Sequence, residues 1–227
     1  MPRRRITVDT TGTFVPLDEL QPPLDWPTFF GNDHPVEVEV GPGKGVFLAS
    51  AGSEQPGTNF VGVELAKKYA LHSAARVVKA GLRNVRVVAG DAQKFLDEFV
   101  PDRSVEVLHV YFPDPWWKKR HRKRRVVNER FVSRAAQVVR LGGELRVMTD
   151  VEEYFREIVD VLGEHPAFEA IDESRVEAGD AWQLQTNFAN KFRQEGRPFF
   201  GERYRVGQGG SPPEPPLREA TLDGSAR

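Results

Sequence analysis

Between residues 36 and 162 the chain alternates short β-branched runs with longer stretches in which apolar positions recur every three or four residues. The runs are VEVEV (36–40), NFVGVEL (59–65), VRVVAG (85–90), VEVLHVYF (105–112) and ELRVMT (144–149). Their length and branching predict strands. After Ala66 the spacing puts Ala70, Leu71, Ala74, Ala75 and Val78 on one helical face and stops at Gly81, a natural left-handed cap. From Asn128, Phe131, Ala135, Val138 and Val139 share a face before Gly142, and a helix after Asp150 would bury Tyr154, Phe155, Ile158, Val159 and Leu162. Five βα units in succession predict an α/β fold: a single Rossmann-like domain, its mostly parallel sheet covered by helices on both faces.

The ends differ from this core. PLDELQPPLDWP within residues 1–30 predicts an N-terminal arm lying on a domain that spans 31–206, and GQGGSPPEPPLREATLDGSAR predicts a disordered tail over 207–227. A chain of 227 residues with 39% hydrophobic content suits one such domain. It has no cysteine, which excludes disulfides, thiolate zinc sites and cysteine nucleophiles and points to a reducing cytoplasm. No run approaches the roughly 18 apolar residues of a membrane span, so a soluble protein is expected. The histidines, His34, His72, His109, His121 and His165, are scattered without metal-ligand spacing, and no metal is expected.

Charge changes the picture locally. The net charge is −1, yet residues 118–125 hold seven Lys or Arg in eight positions, and the rest of the chain balances at 25 basic against 33 acidic residues. Concentrated positive charge implies an anionic partner, against the plainer reading of a solvated basic face. The run follows FPDPWW, so an acidic turn and two tryptophans adjoin it.

In doubly wound sheets ligands bind beyond the carboxyl ends of the strands, near the reversal of strand order. The residues there are GPGKG after the first strand, Glu64 ending the second, Asp91 after the third, PDPW after the fourth and Asp150 after the fifth. EVGPGKG has G-x-G-x-G spacing, with Val46 where a dinucleotide fingerprint wants its third Gly, which disfavours a pyrophosphate cradle and a nicotinamide dehydrogenase. Glu64 can accept both hydroxyls of a ribose, and Asp91 can accept from an adenine amino group. Each acid also has a structural reading: Asp91 as a helix cap, and Asp150 with Glu153 as a capping box. Glu39, acidic in an apolar strand, needs a partner or solvent.

E-x-G-x-G-x-G, an acid ending the second strand and GDA after the third resemble the S-adenosylmethionine site of class I methyltransferases. That resemblance implies cofactor contacts from Glu39, Gly41, Gly43, Gly45, Glu64, Asp91 and Ala92. FPDPWWKKRHRKRRVVNERF, with TD at 149–150 and TNFANKF at 186–192, is similar to the signature of bacterial-type tRNA (guanine-N7)-methyltransferases over roughly residues 36–206. By this resemblance Asp114 is the catalytic residue and Lys118, Asp150, Thr186, Asn187 and Phe188 belong to the guanine and tRNA site. Arg120, His121, Arg122, Lys123, Arg124 and Arg125 would contact the RNA, and guanine 46 of the variable region would be the target. Ala189 stands where the family usually has Glu. The resemblance also implies action without a second protein type, as a monomer or homodimer.

The residues make chemical sense of that function. Guanine N7 has an in-plane lone pair and loses no proton on methylation, so no general base is needed. Pro113 and Pro115 restrict the turn that carries Asp114, whose carboxylate can accept from the N1–H and amino group of guanine. Trp116 or Trp117 would stack on a base or close the pocket, against the plainer reading of a tryptophan packed as core beside a strand end. An amino-group methyltransferase, whose D/N-P-P-aromatic turn occupies the same place, and a noncatalytic RNA-binding module are the alternative readings.

Overall fold

The computed structural model describes residues 8–171 and 199–207. Thr186, Asn187, Phe188 and Ala189, the cluster Arg3 to Arg5 and the expected tail beyond Gly207 lie outside the described residues.

Among the described residues eight strands form one sheet in the order β1-β4-β3-β2-β5-β6-β8-β7. They are β1 (Phe14–Pro16), β2 (Val36–Val40), β3 (Asn59–Glu64), β4 (Val85–Ala89), β5 (Val105–Tyr111), β6 (Val139–Thr149), β7 (Phe168–Ala170) and β8 (Phe200–Val206). Pairings from β1 through β6 are parallel, while β8 runs antiparallel to β6 and β7. The segment expected as an arm contributes β1 to the sheet edge and buries Trp26 and Phe30 of α1 (Trp26–Phe30).

Helices α2 (Val46–Glu54) and α3 (Lys67–Lys79) cover one face of the sheet. The short α4 (Ala92–Lys94) with its continuing turn Phe95–Phe99, α5 (Glu129–Val138) and α6 (Glu152–Gly163) cover the other. On the first side Phe47, Leu48, Phe60, Ala74 and Val77 pack together; on the second, Leu96, Leu108, Phe131, Leu145, Tyr154 and Ile158 do. The buried stripe of α3 is Ala70, Ser73, Ala74 and Val77, one step round from the expected face, and Leu71 is exposed. α5 ends at Val138 because Val139 already begins β6, which extends back beyond ELRVMT.

The sheet interior is not wholly apolar. Residues two apart on a strand share a face, and Glu37 and Glu39 of β2 lie beside His109 and Tyr111 of β5, with Glu39 directly opposite His109. His109 Nε2 lies 2.7 Å from Glu37 Oε2, and its Nδ1 lies 2.7 Å from the Tyr111 hydroxyl. With the proton on Nε2, the ring donates to Glu37 and accepts from the Tyr111 O–H, so every group is satisfied. Phe47 seals the chain, its ring 4.7 Å from that of His109. Burial holds the imidazole below its ordinary pKa and pushes the Tyr111 phenol well above its own, so both stay neutral.

Tyr111→Phe strands the imidazole acceptor in a dry interior, and it should destabilise the fold by about 1–3 kcal/mol. A lower urea midpoint with an unchanged m-value is the expected reading.

Candidate active site

Strand order reverses between β2 and β5, and the two strands run in register to their carboxyl ends, Val40 opposite Val110. The glycine loop after β2 and the proline-framed turn after β5 therefore leave the sheet side by side, at the place where such folds bind ligands.

The loop is held in a conformation that requires glycine. Gly41, Gly43 and Gly45 have φ of 72°, 54° and 67°, in the left-handed region. At Gly45 a Cβ would lie 2.1 Å from Ser73 Oγ and 2.9 Å from Ser73 Cα, because α3 packs directly against it. At Gly41 and Gly43 a Cβ would enter open space, so the backbone there is bare on its outer side. Glu64 fastens this loop to the next: Oε2 accepts from Gly43 N–H at 3.0 Å and Oε1 from Ala66 N–H at 2.9 Å. Each oxygen keeps a second lone pair, so the carboxylate is oriented before any ligand arrives. Leu65, 74% exposed beside it, adds an apolar surface that strand patterning gave no reason to single out.

Glu39 is 4% exposed, and its Oε2 is buried with no hydrogen-bond partner. Burial, and secondarily the charge of Glu64, push its carboxyl well above the usual range, so it is held neutral. Asp91 caps α4, its Oδ1 accepting from Lys94 N–H at 2.8 Å, and Ala92 opens that helix half-buried. Asp150 is half-buried at the end of β6. The capping box expected of Asp150 and Glu153 is not formed: α6 has Val151 at its N-cap, and Glu153 pairs instead with Arg122.

Past β5 the chain turns sharply, with φ of 49° at Phe112 and 45° at Trp116, both in the sparsely populated left-handed region. Between them Asp114 stands exposed, flanked by the two prolines. The tryptophans separate. Trp116 is half-buried, with the Arg124 guanidinium 5.0 Å above its ring and His121 edge-on at 5.8 Å; Trp117 is 67% exposed.

The basic run, a 3₁₀ turn over Lys119–Arg124, divides likewise. Lys118, Lys119, Arg120, Lys123 and Arg124 are exposed, and His121 is half-exposed. Arg125 corrects the expectation of an RNA contact: it is 4% exposed and turned inward. Its Nε donates to the Pro115 carbonyl at 2.8 Å, its guanidinium lies 4.6 Å from the Tyr154 ring centroid, and it pairs with Glu157. Arg122 is half-committed, bridging Glu153 and Glu157 of α6.

A family model described as a putative methyltransferase matches residues 33–201. The tRNA (guanine-N(7)-)-methyltransferase of Rhodopirellula baltica is 39% identical over 195 residues, covering 83% of this chain and 72% of the relative. That of Geobacter metallireducens is 34% identical, covering 85% and 92%.

The chain belongs to the tRNA (guanine-N(7)-)-methyltransferase family.

Solved structures give the fold of this methyltransferase independently. The 16S rRNA methyltransferase KamB superposes with a TM-score of 0.55 at 18% identity, over 82% of this chain and 95% of that one. The aminoglycoside resistance methyltransferase NpmB1 gives 0.51 at 17% identity, over 76% and 87%.

A carboxyl whose pKa is raised by folding contributes stability that is complete below the ordinary carboxylate range and is lost as pH rises. Glu39→Gln removes that loss. The ligand-free variant should gain about 2–4 °C in Tm at pH 8, the shift that ~1 kcal/mol gives in a domain of this size, and should match the parent near pH 4. Thermal scans across pH check this.

Proposed function

We propose that this methyltransferase transfers the methyl group of S-adenosylmethionine to N7 of a guanine in tRNA, at position 46 of the variable region. The observation that carries the reading is the exposed Asp114 on its rigid turn, one strand away from a bare glycine backbone with a neutral buried carboxyl behind it.

S-adenosylmethionine fits the residues present. Glu39 has an unsatisfied buried acceptor that a cationic amino group would complete, the outer faces of Gly41 and Gly43 are open, and the fixed Glu64 carboxylate suits a ribose diol. Asp91 and Ala92 would border the adenine. When bound, the cofactor supplies a methyl group on a sulfonium, electrophilic enough to need no metal or acid assistance.

What the chain adds is position and charge. Asp114 accepts hydrogen bonds from guanine N1–H and its amino group, which turns the N7 edge toward the cofactor loop. Guanine N7 would take the methyl group on its in-plane lone pair and lose no proton, so the chain need supply no general base. The purine becomes cationic as this happens, and the Asp114 carboxylate stabilises that developing charge. Holding both reactants in line supplies much of the remaining rate. Lys118 and Asp150, with Thr186, Asn187 and Phe188 of the signature segment, complete the base and tRNA site. Trp117 offers a free indole for base stacking, a role for which Trp116 is already engaged. Lys119, Arg120, His121, Lys123 and Arg124 meet phosphates. We place the activity in the cytoplasm, and the resemblance of the whole signature favours a monomer or homodimer acting without another protein.

Labelled methyl donor and unmodified tRNA test the reading. Methylation should make the RNA cleavable by borohydride and aniline at position 46; a label on an exocyclic amine would overturn it. Asp114→Ala should lower kcat by at least about 10²–10³-fold with cofactor affinity retained.

With Arg122 and Arg125 engaged internally, five exposed cations remain in the run. The slope of log affinity for tRNA against log salt should be roughly −3.5 to −4.5. Trp117→Ala should weaken tRNA binding by ~5- to 150-fold, the equivalent of about 1–3 kcal/mol of stacking, and should leave that slope unchanged.

A further inference from the structure

We infer that Glu157, on α6 and outside the signature segments, is a positioning residue for methyl transfer: through Arg125 it fixes the turn that carries Asp114. The inference rests on the role proposed for Asp114.

The turn has little means of holding itself. Pro113 and Pro115 lack N–H groups, and two of the non-proline residues, Phe112 and Trp116, sit at positive φ. Its backbone is fastened at Phe112, whose N–H bonds Met148 O at 2.7 Å, and at Pro115, whose carbonyl accepts from Arg125 Nε at 2.8 Å. Pro115 follows Asp114 directly, so the second tie sets the direction in which the carboxylate leaves the chain.

Arg125 can hold Pro115 only if it is itself held. Its side chain is buried against Tyr154, and an isolated guanidinium would not remain there uncompensated. Glu157 supplies the counter-charge on Nη1, and Glu157 is also bound by Arg122 Nη1 at 3.2 Å. The same carboxylate thereby links the clamp to the first turn of the basic run. It also decides which acid the cations take. Arg122 and Arg125 pair with α6, not with Asp114, and the catalytic carboxylate remains available to the base.

The consequence is a separation of kinetic effects. Glu157 touches neither RNA nor cofactor in this arrangement, so its loss should act on the turn alone. Glu157→Gln should lower kcat by about 10- to 100-fold, as sub-ångström to ångström misplacement of a reacting group does. KM for tRNA should not rise, because Arg122 keeps its pair with Glu153 and Arg125 is buried, so the exposed cations of the run are unchanged, and S-adenosylmethionine affinity should be unchanged by calorimetry. Arg125→Lys should not restore the rate, since a single ammonium cannot bond Pro115 O and Glu157 in the arginine geometry. Combined with Glu157→Gln it should cost little more than either alone. Glu152→Gln, on the same helix in an exposed pair with Arg156, serves as the control with unchanged kcat.

A second readout does not use activity. Hydrogen exchange by mass spectrometry should show faster exchange over residues 112–125 in Glu157→Gln and unchanged exchange in β2 and β3. Parental kcat, or a loss confined to KM, would overturn the inference while leaving the proposed function standing. If the parent protein does not methylate guanine N7, the proposed function fails. The exchange measurement then still decides whether Glu157 orders the turn, and unchanged exchange there would overturn the inference by itself.

Discussion

A carboxyl group buried without a partner is among the least favourable features a fold can retain, and Glu39 is one. The neighbouring structure follows from how that group is accommodated. Two residues earlier on the same strand and face, Glu37 has the ordinary solution, a histidine across the sheet whose other nitrogen is satisfied by a tyrosine. Glu39 lies opposite that histidine but does not share it. Burial, and secondarily the proximity of Glu64, oppose a negative charge there and push the carboxyl's pKa well up. A cation delivered to this place would relieve both penalties together, which is the basis of the cofactor contact proposed for Glu39. The cost is sustained by the surrounding order: Phe47 closes over the histidine chain, Ser73 presses on Gly45, and Glu64 ties two loops with two backbone bonds.

Much of this was legible in the sequence, and the reasons differ by level. The central strands are β-branched and buried on both faces, so pattern and structure agree for Val36–Val40 and Val85–Ala89 within a residue. The glycines had a stated spacing, and the structure supplies the reason for each: sterics against Ser73 at Gly45, bare approach at Gly41 and Gly43. Helix faces were less secure. In α3 the pattern favoured Leu71 over Ser73, because hydrophobicity ranks residues by type, whereas the close approach of α3 to Gly45 selects a small residue. β6 could not be bounded, since Val138 and Val139 are apolar on either side of a helix-to-strand change that only the neighbour β5 determines.

Pairs remote in sequence were the least visible. His109 looked like one of five unrelated histidines, yet its partner is Glu37, 72 positions earlier. Seven cations in eight positions looked alike, yet two of them belong to α6. A one-dimensional charge run cannot reveal this, because the sorting depends on which residues the 3₁₀ turn directs back onto the domain. The acids on α6 carried a signal that was read locally: Glu153 had capping-box spacing to Asp150, and the partner it has is Arg122, 31 positions away.

The arrangement also resolves a conflict inherent in the proposed role of Asp114, an acid beside a strongly basic strip. In a flexible segment Asp114 would find a guanidinium within a few residues, and an ion pair would satisfy the acid at the expense of the base it must hold. Surface pairs of that kind are weak, about 0–1 kcal/mol, but a flexible chain still samples them. Here the two arginines that point inward are given better partners. Glu157 offers Arg125 a part-buried carboxylate next to an aromatic ring, where solvent screening is reduced and the competition with an exposed Asp114 is decided. The remaining cations are carried outward on the 3₁₀ turn into solvent. In the proposed function, acid and bases thus serve one substrate from adjacent positions without neutralising each other, and the carboxylate that pairs with Arg122 and Arg125 lies on the helix that follows β6.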